Sequence, residues 1–230
     1  MRAALAIAAL ICQRTFYFRT LRNPLMTLSG EQVQKTRAYA RRAGGHPLWL
    51  FLKGFIKHPV MVGSVIPSSK ILIDKMLAPV DWANCKLFVE YGPGVGTFTQ
   101  HILDRMPADG VLLTLDTNPD FTDYLNGKIR DSRLRAVTAS AADVRDIMEG
   151  FGFDHADYVL SGLPFSTLPP GVGPAIAKAT ADALRPGGAF LVYQFSPKVL
   201  DFLSPNFERI DRGMEWINVP PAQLFWCWKD

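Results

Sequence analysis

The chain has 230 residues, 48% of them hydrophobic and 20% charged. That balance excludes a disordered chain and fits one domain with room for a terminal extension. The net charge of +4 conceals an asymmetry: residues 1–60 hold ten Lys/Arg against Glu31 alone, whereas the remainder holds 15 basic and 20 acidic residues. A basic arm on a weakly acidic globule points to an anionic partner, membrane phosphate or nucleic acid, unless the arm is only a solvated helix.

Ala3–Ile11 is a short apolar run after Arg2. It resembles the hydrophobic part of a signal peptide but lacks an A-x-A cleavage pattern, and it falls well short of the roughly 20 residues needed to cross a bilayer. It reads as a weakly anchoring tail or an upstream extension, with Met26 as an alternative start. No later stretch qualifies as transmembrane. Cys12, Cys85 and Cys227 form no C-x-x-C pair, which leaves no metal-ligand or redox spacing and fits a reducing compartment.

Residues 31–43, containing Lys35, Arg41 and Arg42, read as a basic helix opened by Ser29 and interrupted by Gly44, Gly45 and Pro47. Leu48–Lys57 reads as a second helix. Its Leu48, Phe51, Leu52, Phe55 and Ile56 form one apolar stripe, with Lys53 and Lys57 opposite and Trp49 at the flank. Packing on the domain core would satisfy such a stripe, and so would a membrane surface; the cations that precede it favour the membrane. Pro59–Ser69 is a loop, and Lys70–Leu77 a helix capped by Ser68 or Ser69.

From residue 86 strands and helices alternate. Strands are expected at Lys86–Glu90, Val111–Asp116, Leu134–Thr138, Asp157–Ser161 and Ala189–Phe195. Helices are expected at Phe98–Arg105, Pro119–Lys128, Val144–Met148 and Gly173–Leu184, the last ended by Pro186-Gly187-Gly188. The tail from Phe207 to Trp228 reads as two strands. Such βα repetition argues for a mostly parallel sheet with helices on both faces and an antiparallel edge.

Chemistry concentrates at the strand ends. Glu90-Tyr91-Gly92-Pro93-Gly94-Val95-Gly96 joins a strand to a helix, and glycine there lets backbone approach a ligand closely. The residue five positions after Gly92 is Thr97, which departs from the dinucleotide pattern G-x-G-x-x-G. The second strand ends in Asp116, where an acid can accept from both hydroxyls of a ribose. The third is followed by Ser140-Ala141-Ala142-Asp143 and the fourth by Ser161-Gly162-Leu163-Pro164-Phe165.

The E-x-G-x-G-x-G form resembles the first motif of class I S-adenosylmethionine-dependent methyltransferases. That resemblance implies a Rossmann-like, seven-stranded fold and S-adenosylmethionine as cofactor, with S-adenosylhomocysteine as product. Glu90, with Tyr91, Gly92, Gly94 and Gly96, would hold the methionine end. Asp116 and Thr117 would take the ribose, Asp143 and the neighbouring Ala142 the adenine, and Ser161 would lie beside the reacting methyl. The string FLKGFIKHPVMVGSVIPSS at residues 51–69 and the tail NVPPAQLFWCW at 218–228 look like bacterial phospholipid N-methyltransferases, which methylate phosphatidylethanolamine in phosphatidylcholine biosynthesis.

On that likeness residues 1–30 are an extension, 31–80 a basic membrane-docking and lid segment, and 81–230 the S-adenosylmethionine-binding domain. The enzyme would be cytoplasmic, attached peripherally to the anionic inner face of the cell membrane, with a phospholipid substrate, no nucleic acid partner and no metal. Gly63, Ser64, Pro67, Ser68, Ser69 and Leu163 would meet the substrate, the serines through a phosphodiester oxygen or, alternatively, as helix caps. Tyr193 is the candidate catalytic residue near the headgroup, able to contact a methylated ammonium, or else a core aromatic; Phe195 falls where that family often has tyrosine. Alternatives are ornithine-lipid N-methylation, RNA or DNA adenine N6-methylation through an element resembling N-L-P-Y, and a cofactor-binding protein that does not catalyse.

If the stripe of residues 48–57 docks on lipid, reversing both charges in Lys53→Glu/Lys57→Glu weakens flotation with anionic vesicles and leaves cofactor affinity intact. Unchanged flotation sinks that role.

Overall fold

A computed structural model of the chain describes residues 70–217 and 221–230. The expected helices at 31–43 and 48–57 and the loop at 59–69 lie outside the described residues. So do Lys35, Arg41, Arg42, Trp49, Lys53, Lys57, Gly63, Ser64, Pro67, Ser68 and Ser69.

The described chain begins with helix α1 (Lys70–Leu77) and a 3-10 turn at Trp82–Asn84. Then come β1 (Leu87–Tyr91), α2 (Thr97–Leu103), β2 (Val111–Asp116), α3 (Pro119–Lys128), β3 (Leu134–Thr138), α4 (Val144–Gly150) and β4 (Ala156–Ser161). These are followed by α5 (Val172–Ala183), β5 (Leu184–Gln194), the short α6 (Leu200–Leu203), β6 (Arg209–Glu215) and β7 (Ala222–Trp228). The seven strands lie in the order β3-β2-β1-β4-β5-β7-β6. β1 to β5 are mutually parallel, and β7 runs antiparallel between β5 and β6.

β1 and β4 are buried at every position, as the central strands of a sheet covered on both faces must be. One face packs Leu87, Val89 and Tyr91 against α4, α5 and α6. The other packs Phe88, Leu112 and Leu160 against α1, α2 and α3. α1, grouped in sequence with the segment before it, is built into this second core. Leu72, Ile73, Met76 and Leu77 are buried, and Trp226 Nε1 on β7 donates to Met76 O at 3.0 Å.

Two local features depart from the sequence expectation. β5 starts at Leu184, ahead of the Pro186-Gly187-Gly188 stretch that was expected only to end a helix; its pairing with β4 shifts register between Ala156 and Tyr158. Asp157 is the reason. Its carboxylate pairs with Arg185 Nε at 2.6 Å and accepts from the backbone N–H groups of Lys86 at 2.7 Å and Leu87 at 2.9 Å. Gly188 lets the strands close over it, since a Cβ there would meet Asp157 O at 2.6 Å. The second feature is α6, which follows a turn where Ser196 Oγ accepts from Lys198 N and which carries the buried Leu203 into the core.

Asp157 thus ties the starts of β1, β4 and β5 together at the end of the sheet away from the glycine loop. Asp157→Ala strands two backbone donors and one guanidinium and should cost about 3 kcal/mol in denaturant unfolding. Breaking the exposed Lys178–Asp182 pair with Lys178→Ala should cost less than about 0.5 kcal/mol. Equal effects would remove Asp157 from this role.

Candidate active site

The strand order turns back between β1 and β4, and in open α/β sheets ligands lie outside the carboxyl ends of the strands at that point. The loops after β1, β2, β3 and β4 emerge there. Backbone bonds tie these ends together: on the β4 loop Gly162 N donates to Tyr91 O of β1 at 3.0 Å, and on the β1 loop Gly92 N donates to Leu115 O of β2 at 2.9 Å. A Cβ on Gly92 would meet Leu163 Cδ2 at 2.9 Å, so the half-buried Leu163 side chain sits directly on the glycine loop.

All three expected glycines are left-handed, with φ of 64° at Gly92, 55° at Gly94 and 84° at Gly96. Packing explains two of them, since a Cβ on Gly96 would meet Leu125 Cδ2 at 2.7 Å and one on Gly92 would meet Leu163. At Gly94 a Cβ would meet none of the described residues within 4 Å. Among the described residues nothing covers the bare backbone there, as suits a loop that lies against a ligand.

Glu90 is 3% exposed at the end of β1, and its Oε2 accepts from Thr99 Oγ1 on α2 at 2.7 Å. Burial pushes its carboxyl up to about 7, against the opposing pull of Thr99 and with the help of nearby Asp116. Asp116 closes β2 with its carboxylate accepting Asn118 N–H at 2.8 Å and further backbone N–H groups of Gly94 and Thr117. Burial pushes it up to about 6. Two buried carboxylates with raised pKa values at the ends of adjacent strands suit a ligand that brings a cation and hydroxyl donors.

The remaining expected residues are placed unevenly. Asp143 is exposed after β3, and the half-buried Ala142 donates its N–H to Ser140 Oγ at 3.2 Å. Tyr91 turns its ring away from the cleft: it is fully buried on the opposite face, its hydroxyl 3.1 Å from Thr180 Oγ1. Only its backbone borders the site. Ser161 is also fully buried, and its Oγ accepts from Leu163 N at 3.2 Å, so the hydroxyl shapes the loop. Tyr193 is half-buried near the end of β5, stacked on Phe98 of α2 with ring centroids 5.2 Å apart. Its hydroxyl lies 2.8 Å from where a Gly162 Cβ would stand. Phe195 is 53% exposed beyond the strand.

Sequence reasoning missed Thr99, Phe98 and Gln194. Gln194 holds the β4 loop through Nε2 to Leu163 O at 2.7 Å. Thr99 follows Glu90 by nine positions, a spacing that has meaning only once the glycine turn folds α2 back over β1. Among the described residues no group of three or more His, Cys, Asp or Glu side chains is placed to hold a metal ion.

No family model matches the chain. It is 30% identical over 181 residues to the ornithine lipid N-methyltransferase of Singulisphaera acidiphila, covering 78% of this chain and 94% of that protein. Among solved structures it resembles a 16S rRNA N2 methyltransferase of T. Thermophilus in complex with AdoMet and guanosine, with TM-score 0.54 and 16% identity over 73% of this chain. It spans 44% of that longer chain. It also resembles a precorrin-6y methyltransferase of Geobacter metallireducens, with TM-score 0.57 and 15% identity over 70% of this chain and 89% of the other. These two likenesses show the fold.

The raised carboxyl of Glu90 has a consequence for stability. A folded-state value of about 7 against an ordinary 4.5 means the folded protein holds the proton more tightly, so Glu90 favours folding below about pH 4.5 and loses that contribution as pH rises towards 7. Glu90→Gln should therefore gain on wild type across that window, by up to ~3 kcal/mol at pH 8 relative to pH 4.5. A pH-independent difference in denaturant stability would show that the carboxyl is not perturbed.

Proposed function

Because this chain belongs to the family of ornithine lipid N-methyltransferase, within the class I S-adenosylmethionine-dependent methyltransferases, we propose that it methylates the amine of a membrane lipid. The ornithine headgroup is the leading acceptor. The observation that carries this is the 30% identity across 94% of that relative. Sequence reading placed phosphatidylethanolamine first and ornithine lipid second; the relative supports the reverse order. Phosphatidylethanolamine remains the second reading, on the string at residues 51–69.

Two features support cofactor binding here. Gly94 offers backbone with no Cβ and no described residue within 4 Å of where one would stand, and Glu90 is a buried acid whose carboxylate has one hydrogen-bond donor, Thr99, among the described residues. Glu90 would hold the ammonium of the methionine end, while Gly92, Gly94 and Gly96 let the backbone pass beside it. Asp116, followed by Thr117, would accept from the ribose hydroxyls, with Asp143 and Ala142 at the adenine. S-adenosylmethionine, when bound, supplies a methyl group on a sulfonium that a neutral amine can attack in line.

The chain's part in the transfer is positioning and desolvation. An acceptor amine is mostly protonated in water at neutral pH, and a site that excludes water beside a cation lowers its pKa. Tyr193, stacked on Phe98 by one face, would receive the headgroup with the other, through cation–π contact to the ammonium. Gly63, Ser64, Pro67, Ser68 and Ser69, with Leu163, would complete the headgroup site, holding the oxyanion that either lipid carries.

A lipid acceptor also accounts for apolar side chains that the fold does not use. Phe195, Trp216 and Ile217 are 53%, 72% and 66% exposed. They lie at the end of β5 and beyond β6, on the rim where β1 to β4 present the cleft. The proposed arrangement joins this rim to a membrane-docking segment at 31–80. Among the described residues no helix is long and apolar enough to cross a membrane. An adenine acceptor is disfavoured, because the asparagine of N-L-P-Y is absent: Gly162 precedes Leu163-Pro164-Phe165, and the hydroxyl of the neighbouring Ser161 is engaged with Leu163 N–H.

Expression in a host that makes ornithine lipid and phosphatidylethanolamine but methylates neither, with labelled methyl donor, separates the readings. Label is expected in ornithine lipid and absent with Glu90→Ala. Label only in methylated phosphatidylethanolamine would transfer the assignment to that acceptor. No labelled lipid from protein that binds S-adenosylmethionine would overturn the lipid reading.

A further inference from the structure

One polar atom near Glu90 is left over by the fold. Thr114, in the middle of β2, is 0% exposed, and its Oγ1 has no hydrogen-bond partner among the described residues. It is the only buried side-chain nitrogen or oxygen in that state among the described residues. A valine of the same shape would avoid the cost of burying that hydroxyl, so its presence calls for a partner.

The sheet register supplies one. Thr114 and Glu90 are Cα partners on adjacent parallel strands. Neighbouring strands lie about 4.8 Å apart, and register partners project from the same face. The preceding pair, Phe88 and Leu112, is packed in the core shared with α1, α2 and α3, which fixes that face as the one Thr99 comes from. Thr99 donates to Oε2 of Glu90 and to no second oxygen. Around this carboxylate, β2 contributes the acid Asp116, α2 the hydroxyl of Thr99, and β4 the apolar Leu160 in register with Glu90. On the same face, β5 brings Tyr193 against Phe98. Among the described residues no cation stands in this set, so hydroxyl donors are what the fold offers to the charged form of Glu90.

We propose that Thr114 is a positioning residue for Glu90: its hydroxyl donates through one buried water to the carboxylate oxygen that Thr99 leaves free, keeping the acid aimed at a ligand's ammonium. This rests on the reading of Glu90 as the carboxylate that holds the cofactor amine. Two hydroxyls, one from the neighbouring strand and one from the helix above, then clasp a single carboxylate. Each donor favours the ionised form, which is the form a cation requires. A single buried water has room to serve only where polar groups surround it, and Thr114, Glu90 and Thr99 supply three such groups.

The test reads the titration of Glu90 in ligand-free protein by carboxyl 13C NMR, with the signal assigned through Glu90→Gln. Thr114→Val should raise the Glu90 midpoint by about one unit and leave the protein at least as stable as wild type. Thr114→Ser should restore the wild-type midpoint, and Thr114→Ala gives the same test if valine is not accommodated. S-adenosylmethionine affinity at pH 6.5, read by calorimetry, should fall roughly eightfold in the valine variant and recover in the serine variant. An unchanged midpoint in the valine and alanine variants, or an equal rise in the serine variant, overturns the proposal. Since the titration needs no ligand, a wild type that binds no S-adenosylmethionine would show up separately, as failure of the cofactor reading.

Discussion

Between Tyr91 and Thr97 the chain leaves a buried strand and enters a helix with Gly92, Gly94 and Gly96 all left-handed. That tight reversal puts Thr99 over the end of β1, within 2.7 Å of Glu90. It also brings Gly94 within hydrogen-bonding reach of the Asp116 carboxylate. The two acids therefore hold their places relative to one another through backbone rather than through long side chains. Side chains on this loop would strain the left-handed turn and, at Gly92 and Gly96, would collide with Leu163 and Leu125.

The sheet has two ends with opposite electrostatic character. At the ends where the strands begin, Asp157 is matched by Arg185 and two backbone N–H groups, and the arrangement ties three strands together. At the ends where they finish, Glu90 and Asp116 are buried without a cationic partner among the described residues, and their carboxyls are pushed up to about 7 and about 6. Stability is spent at the second end and recovered at the first. That is the expected division where a site is preorganised for a charged ligand that supplies the missing counter-charge.

On the proposed reading, the same end of the sheet serves both substrates. The loops after β1 to β3 face the cofactor, while β5 and the β6–β7 hairpin bring Tyr193 and the exposed Phe195, Trp216 and Ile217 to the acceptor side. The β4 loop lies between them, pinned to the glycine loop through Gly162 and to β5 through Gln194. A displacement of that loop would move both binding regions together, so the tight packing of Gly162 against Gly92 O and Tyr193 couples cofactor and acceptor geometry.

The order of strands and helices from residue 86, the glycine turn and the acids Glu90 and Asp116 are legible along the chain, because those features are local. Hydrophobic period and strand-end position are written within ten or so residues. The bounds of β2, α3 and β3 were legible in full, since each is an apolar or capped run with clear edges. β5 was misjudged at its start because its first residues are held by Asp157, about 28 positions away. Tertiary structure alone decided that Tyr91 and Ser161 turn their side chains into packing and loop contacts, that Tyr193 stacks on Phe98, and that Thr99 and Thr114 flank Glu90. Those relations join residues from separate elements across a sheet face. No spacing along the chain encodes them; they exist only once parallel register and helix packing have set which side chains share a face.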